Sequence, residues 1–112
     1  MKGSSLGELE ELILLHVGIL HPLAYGVAVM DEIAKTTGRQ LNISAVHSVM
    51  TRLEEKHFLT SDMSAPTEER GGRRKRIFTL TAAGKRALED SHALRNELFQ
   101  RIPGIVLRFR PV

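Results

Sequence analysis

Two stretches of this sequence determine its architecture: SAVHSVMTRLEEKHFLT at residues 44–60 and PTEERGGRRKRIFTLTAAGKRAL at residues 66–88. In the first stretch, apolar side chains recur at helical spacing, which predicts a helix over residues 45–56 with Ser44 as its N-cap. The expected buried face of this helix consists of Ile43, Val46, Val49, Met50 and Leu53.

A β-hairpin and a final helix come next in the chain. A polar, glycine-containing loop separates two strand-like runs, residues 58–64 and 75–81, which is typical of a hairpin with a long tip. The last helix is predicted over residues 82–102, with Thr81 as its N-cap and Pro103 beyond its end. The hairpin therefore stands between two helices.

Two more helices are predicted near the N-terminus. The first spans residues 6–20, with Ser5 and Glu8 at the spacing of a capping box. The second runs from residue 24 or 25 to residue 37, and Gly38 is expected in the left-handed conformation that ends it. The full order of elements is helix, helix, helix, hairpin, helix.

This order is that of a winged helix-turn-helix module, so the predicted fold class is mainly α. Residues 1–81 are expected to form the DNA-binding domain, from three helices and a two-stranded wing. Residues 82–112 are expected to form a C-terminal dimerisation helix and a tail. In such a module the third helix enters the major groove of DNA, and the hairpin tip contacts the phosphate backbone.

The third predicted helix has a small, polar face opposite its apolar stripe. Hydroxyl groups permit close approach to a groove, while His and Arg side chains donate to base edges or phosphates. Arg52 has two alternative partners, a phosphate and Glu55. The acidic Glu54 and Glu55 mildly oppose DNA binding because acids repel phosphates, but they lie at the far end of the helix and are expected to matter little. The alternative for the whole face is simple solvation. The residues expected to contact the major groove are Ser44, His47, Ser48, Thr51 and Arg52.

The 112-residue chain has a formal net charge of only +3, and much of its positive charge lies at the predicted tip of the hairpin. The rest of the chain is slightly acidic as a result. A concentrated basic loop favours contact with phosphates, with a solvated loop as the alternative. The basic residues are Arg70, Arg73, Arg74, Lys75 and Arg76.

The first predicted helix is apolar around most of its circumference, so it needs cover on two sides. The last helix adds a second apolar stripe beyond the wing. On a monomer these side chains would form a larger exposed apolar patch than soluble monomers usually show, and a homodimer is therefore expected. The expected dimer interface consists of Leu9, Leu12, Ile13, His16, Leu94, Leu98, Phe99 and Ile102.

Other classes of site find no support in the sequence. The five histidines lack the spacing of metal ligands, and no phosphate-binding loop or catalytic triad motif is present. We therefore expect no enzymatic activity, no metal and no cofactor. The chain has no Cys and no apolar run of membrane-spanning length, which favours a cytoplasmic protein without a membrane segment.

Taken together, these motifs resemble those of the PadR-type transcriptional regulators with a short C-terminal region. Leu6-Gly7-Glu8-Leu9-Glu10 is similar to the start of their first helix, and Ala24-Tyr25-Gly26 to the start of their second. The two stretches quoted above resemble their recognition helix, their wing and the start of their last helix. The resemblance covers residues 6–88, and the wing is its most specific part.

Three residues depart from the usual pattern of the family. His47 stands where a Tyr of the recognition helix is usual, His57 where Gly precedes the first wing strand, and Ile77 where an aromatic residue is common. The first departure bears on the DNA sequence preference and on the phosphate contact at that position. The fold does not depend on it.

The resemblance implies a sequence-specific, homodimeric repressor that binds double-stranded DNA at a roughly palindromic operator. It adds Tyr25 to the expected DNA contacts, and it pairs the last helix with the first helix of the other subunit. Some relatives bind flat aromatic ligands between tryptophans at the dimer interface; this chain has no Trp, and any small-molecule effector stays unidentified. The sequence leaves one alternative function, a winged-helix interaction module whose basic loop contacts an acidic partner protein.

Overall fold

A computed structural model describes residues 6–65 and 74–104 of the chain. Its elements, in order, are α1 (Glu8–Leu20), α2 (Gly26–Thr37), α3 (Ile43–Glu55), β1 (Leu59–Met63), β2 (Arg76–Leu80) and α4 (Ala82–Gln100). The two strands pair antiparallel, with Leu59 opposite Leu80 and Met63 opposite Arg76. The prediction of a mainly helical, winged helix-turn-helix fold is confirmed.

The starts of two helices differ from the predictions. The N-cap of α1 is Gly7, whose backbone N–H donates to the Glu10 carboxylate at 2.8 Å, so the predicted capping box of Ser5 and Glu8 is wrong. The N-cap of α3 is Asn42, whose side-chain oxygen accepts from the Ala45 N–H at 2.8 Å. The prediction of Ser44 as this cap is wrong because α3 begins one residue before it, at Ile43.

The other predicted helix boundaries agree closely with the structure. Gly38 follows α2 in the left-handed conformation, with φ of 77°. Thr81 caps α4 by accepting from the Gly84 N–H at 2.9 Å. His57 also has a positive φ, 67°, in the turn between α3 and β1. A side chain with a Cβ adopts this conformation at a cost, which explains why Gly is usual there in the family the sequence resembles.

The core lies between α1, α2, α3 and the inner face of the wing. Four of the five residues predicted for the buried face of α3 are enclosed, namely Val46, Val49, Met50 and Leu53, and the fifth, Ile43, is half-buried against the core. The wing is also fastened to the chain segment before α2, because the Phe78 N–H donates to the Ala24 carbonyl at 2.7 Å. The wing is therefore held in place at its base, next to the start of α2.

Helix α4 contacts the core only through its first turns. Gly84 and Ala87 are buried, whereas every residue from 92 to 104 is exposed. A Cβ at Gly84 would overlap the Phe58 carbonyl oxygen, so only glycine lets α4 approach the turn before β1 this closely. The longest dimension of the molecule is 58 Å as α4 extends beyond the core. Within the described ranges, no helix combines the length and the apolar content needed to span a membrane.

Substitution of Gly84 by Ala should lower the free energy of unfolding by about 1–3 kcal/mol, because the added methyl group forces α4 away from the Phe58 carbonyl. Urea denaturation measures the change. Gly18→Ala is the matched control, since a Cβ at this α1 position would meet only Leu80 at an ordinary contact distance of 3.5 Å. The free energy of unfolding of that variant should rise by up to about 1 kcal/mol, because alanine has a higher helix propensity than glycine. Equal effects of the two substitutions would contradict the close approach at Gly84.

Candidate nucleic-acid interface

The outer face of α3 is an open, polar surface. All five side chains predicted to contact the major groove are exposed on it, while the opposite face is buried in the core. Four of them line a shallow depression of about 430 Å³ together with Glu55. These four are His47, Ser48, Thr51 and Arg52.

A second groove, of about 530 Å³, lies between the start of α2, the middle of α3 and the base of the wing. It collects predicted site residues from three separate parts of the sequence: Tyr25, His47, Thr51, Arg74, Lys75 and Arg76. Val27 also lines it and is half exposed, although sequence reasoning did not identify this residue. Its position directly after the Ala24-Tyr25-Gly26 motif is the signal that could have found it.

The absence of a side chain at Gly26 determines where His47 lies. A Cβ at Gly26 would overlap the His47 imidazole ring, so α2 and the His47 side chain can meet only because this position is glycine. The ring is exposed to solvent on its other side and borders both the depression and the groove. The position of His47, which stands where Tyr is usual in the family, therefore depends on its contact with α2.

Tyr25 contacts Lys75 at the base of the wing. The Lys75 Nζ atom lies 4.2 Å from the centroid of the Tyr25 ring, within the range of a cation–π interaction. The Arg74 Nε–H donates to the Ser64 carbonyl at 2.8 Å, and the Lys75 N–H donates to the Ser64 hydroxyl at 2.8 Å. These bonds keep two basic residues at the edge of the groove. The other two predicted residues, Arg70 and Arg73, lie outside the described part of the chain.

Arg52 is held by an acid that the sequence analysis did not consider. Its Nε atom lies 3.1 Å from a carboxylate oxygen of Glu10, so within the chain its partner is Glu10 and not Glu55, the intramolecular partner that the sequence suggested. The alternative of a phosphate stays a prediction. Lys56 donates to both oxygens of the same carboxylate, at 3.0 and 2.9 Å. One acid at the start of α1 therefore binds two basic residues near the end of α3.

The position of Glu10 changes its acidity. Burial raises the pKa of the Glu10 carboxyl. Hydrogen bonds from Lys56, from the Gly7 N–H and from Arg52 lower it by more, so its pKa lies below the ordinary value of 4.5. The carboxylate is therefore charged at neutral pH and stabilises the folded protein through its partners.

Comparison with known proteins identifies the family of this chain. The sequence profile of the transcriptional regulator PadR-like family matches residues 14–90. The chain belongs to this PadR-like family. The family is one of transcriptional regulators and not of enzymes, in agreement with the expectation from the sequence. A comparison with curated protein sequences gives no significant match.

Solved structures of PadR-like proteins share the fold. A PadR-like transcription factor from Bacteroides fragilis is similar with a TM-score of 0.70 at 22% identity, over 87% of this chain and 88% of that one. A PadR family regulator from Eggerthella lenta gives a TM-score of 0.66 at 25% identity, over 92% and 88%. PadR from Bacillus subtilis, solved in complex with operator DNA, gives 0.62 at 20% identity, over 74% of this chain and 45% of that one.

The expected dimer residues of the PadR-like chain fall into three groups: buried, half-buried and exposed. Ile13 and His16 are 0% and 4% exposed within the single chain, so the prediction that they face another subunit is wrong. His16 donates from Nδ1 to the Leu12 carbonyl at 2.8 Å and pairs through Nε2 with the Thr36 hydroxyl at 2.7 Å. This face of α1 packs against α2. Leu9 and Leu12 are half-buried at the edge of the core.

The remaining expected residues lie on the surface. Large apolar side chains of α4 and of the residues directly after it are 40–54% exposed, and they are Leu94, Leu98, Phe99 and Ile102. On α1 the exposed large side chains are Leu15 and Ile19, at 43% and 61%. Within residues 6–65 and 74–104, no three His, Asp or Glu side chains come together in a way that could hold a metal ion.

Replacing Glu10 by Gln should lower the free energy of unfolding at pH 7 by about 1–3 kcal/mol, because the charged hydrogen bonds from α3 are lost. Since the pKa of Glu10 is lowered in the folded state, this stabilisation is present above about pH 4.5 and disappears as the pH falls through the lowered value. The two unfolding curves should therefore converge in acid. Urea denaturation between pH 7 and pH 3 measures both effects.

Glu8→Gln is the control for this experiment. The Glu8 side chain is 73% exposed and pairs with Arg39 at the surface, where ion pairs contribute little. The free energy of unfolding of the Glu8→Gln variant should stay close to that of the wild type across the same pH range. A Glu10→Gln variant as stable as Glu8→Gln at pH 7 would contradict the assigned role of Glu10.

Proposed function

We propose that this protein is a sequence-specific DNA-binding transcriptional regulator, acting in the cytoplasm as a homodimeric repressor at a roughly palindromic operator. One observation carries the proposal: the polar face of α3 and the basic residues at the base of the wing border the same groove. A surface of this kind matches the way in which winged helix-turn-helix modules place a helix and a wing on DNA.

The side chains divide into two roles in this proposal. Ser44, His47, Ser48 and Thr51 contact base edges, since they are the exposed, non-acidic side chains of α3 that no acid holds among the described residues. Arg52 contacts the backbone, because Glu10 occupies its Nε and leaves the terminal N–H groups to donate. The phosphate contacts of the wing come from Arg70, Arg73, Arg74, Lys75 and Arg76, with Tyr25 beside them.

The PadR protein from Bacillus subtilis supports this assignment, since its structure contains operator DNA. Residues 1–81 of the present chain would form the corresponding DNA-binding domain, and residues 82–112 the dimerisation helix and tail. We assign no small-molecule effector. The chain has no Trp of the kind that encloses aromatic ligands in some relatives.

The exposed apolar side chains support the homodimer. Among the described residues, the apolar side chains in the second half of α4 are not covered, and α1 presents Leu15 and Ile19 to solvent. We propose that these α1 side chains, with Leu9 and Leu12 beside them, pack on α4 of the second copy. Burial of this area favours association, since apolar surface contributes about 25 cal/mol per Å² before the cost of association. Two-fold symmetry then presents two α3 helices to a palindromic site.

Selection of bound duplexes from a random-sequence pool tests the DNA-binding proposal. We expect a two-fold symmetric motif, together with weaker binding to all duplexes that falls steeply as salt increases, by roughly 0.9 log units per log unit of salt for each phosphate neutralised. Failure to bind any duplex at low salt would overturn the proposal. Binding to an acidic protein instead would favour the interaction module.

Substitution of Leu98 by Asp should give monomers that no longer bind the selected operator, because a charge then lies in the centre of the proposed apolar interface. Sedimentation velocity and an operator titration measure the two effects. Ala93→Asp adds the same charge to an exposed position on the far side of α4 and should stay dimeric. Wild-type protein that is monomeric at micromolar concentration would contradict the dimer.

A further inference from the structure

A chain of hydrogen bonds links the end of α3 to both strands of the wing. The Glu54 carboxylate accepts from the Ser61 hydroxyl at 2.7 Å. The same Ser61 oxygen accepts from the Arg76 Nη1–H at 2.8 Å. Ser61 lies in the middle of β1, and Arg76 is the first residue of β2. We name these three residues the Glu54–Ser61–Arg76 relay.

The chemistry of the three groups fixes the direction of the relay. A carboxylate can only accept hydrogen bonds, a guanidinium can only donate them, and a serine hydroxyl has a single proton. The Ser61 proton must therefore point to Glu54, which leaves an oxygen lone pair for Arg76. The hydrogen bonds of the relay can therefore run in only one direction, and each bond polarises the next. The Arg76 side chain is held in a defined orientation at the base of the wing.

This arrangement reverses the role expected of Glu54. As an acid close to the proposed DNA surface, Glu54 would weaken binding by repelling phosphates. We propose instead that Glu54 and Ser61 are positioning residues for DNA binding: they fix the wing and the Arg76 guanidinium relative to α3, so that both meet the duplex together. This inference rests on the proposed function, and it makes one acid of α3 favourable to DNA binding.

The neighbouring residue provides a matched comparison. Glu55 carries the same charge one position further along α3, is exposed, and lines the depression on the outer face. Among the described residues, no side chain donates a hydrogen bond to Glu55, whereas Glu54 is half-buried and holds Ser61. Removing either acid changes the net charge equally. Only removal of Glu54 breaks the relay.

The experiment measures binding of the full chain to one random-sequence duplex at several salt concentrations. Glu55→Ala should bind more tightly than the wild type, since a repulsive charge is lost. Glu54→Ala should bind about two- to fivefold more weakly than the wild type, the range expected when an exposed charged contact is lost. Loss of the Arg76 phosphate contact should also reduce the slope of log affinity against log salt by about 0.9. Ser61→Ala should weaken binding similarly without any change in charge.

Two further variants separate positioning from general damage. Glu54→Gln keeps an acceptor oxygen for the Ser61 hydroxyl and should bind like the wild type or better. The double variant Glu54→Ala with Ser61→Ala should be no weaker than either single variant, because both break the same chain. Base preference in a selection experiment should stay the same throughout, since α3 still presents its outer face. If a thermal melt shows that Glu54→Ala is not folded, the comparison of Ser61→Ala with Glu54→Gln tests the proposal.

The outcomes distinguish this inference from the proposed function. Binding of Glu54→Ala as tightly as Glu55→Ala, with wild-type binding intact, would overturn the relay and leave the DNA-binding function standing. Wild-type affinity and salt slope in Ser61→Ala would overturn it equally. Absence of duplex binding by the wild type would overturn both proposals together.

Discussion

The carboxylate of Glu10 joins the first helix to the helix that carries the proposed DNA-contacting face. It accepts from the Gly7 N–H at the start of α1 and from Arg52 and Lys56 near the end of α3. Its neighbours form more exposed ion pairs, which contribute less: Glu8 with Arg39 at 2.6 Å, and Glu11 with Arg95 of α4 at 3.0 Å. One turn of α1 is therefore attached to the loop after α2, to α3 and to α4. This turn therefore contacts both the helix that carries the proposed DNA-contacting face and the C-terminal helix.

Much of the fold could be predicted because periodicity and turn residues encode local structure directly. The buried face of α3, the two wing strands, the left-handed Gly38 and the Thr81 cap all follow from the identities of nearby residues. The cap of α3 did not follow in the same way. Asn42 and Ser44 are comparable N-caps, and the choice between them depends on where the chain leaves the loop after α2. Such boundaries are set by tertiary packing.

The pairs formed by side chains far apart in the chain could not be predicted from the sequence. Arg52 and Glu10 are 42 positions apart, and a charge pattern along one helix cannot reveal a partner on another. A helix that is apolar around its circumference does not show which side faces the core. For that reason Ile13 and His16 were assigned to the wrong surface, while Leu15 and Ile19 were left out. Most residues that line the candidate groove were predicted, from the order of elements and, for Tyr25, from the family resemblance. Val27 was not predicted, and the shape of the groove depends on contacts that only the folded chain provides.

The contact between Gly26 and His47 has a consequence for how this surface can change. Because the imidazole ring lies where a side chain of α2 would otherwise be, positions 26 and 47 share one volume. Any residue larger than glycine at position 26 would displace the ring and so change the lining of the groove. A smaller side chain at position 47 would leave a gap against α2. The sequence preference that we propose for α3 therefore depends on residues of two helices, and substitutions confined to α3 change only part of this surface.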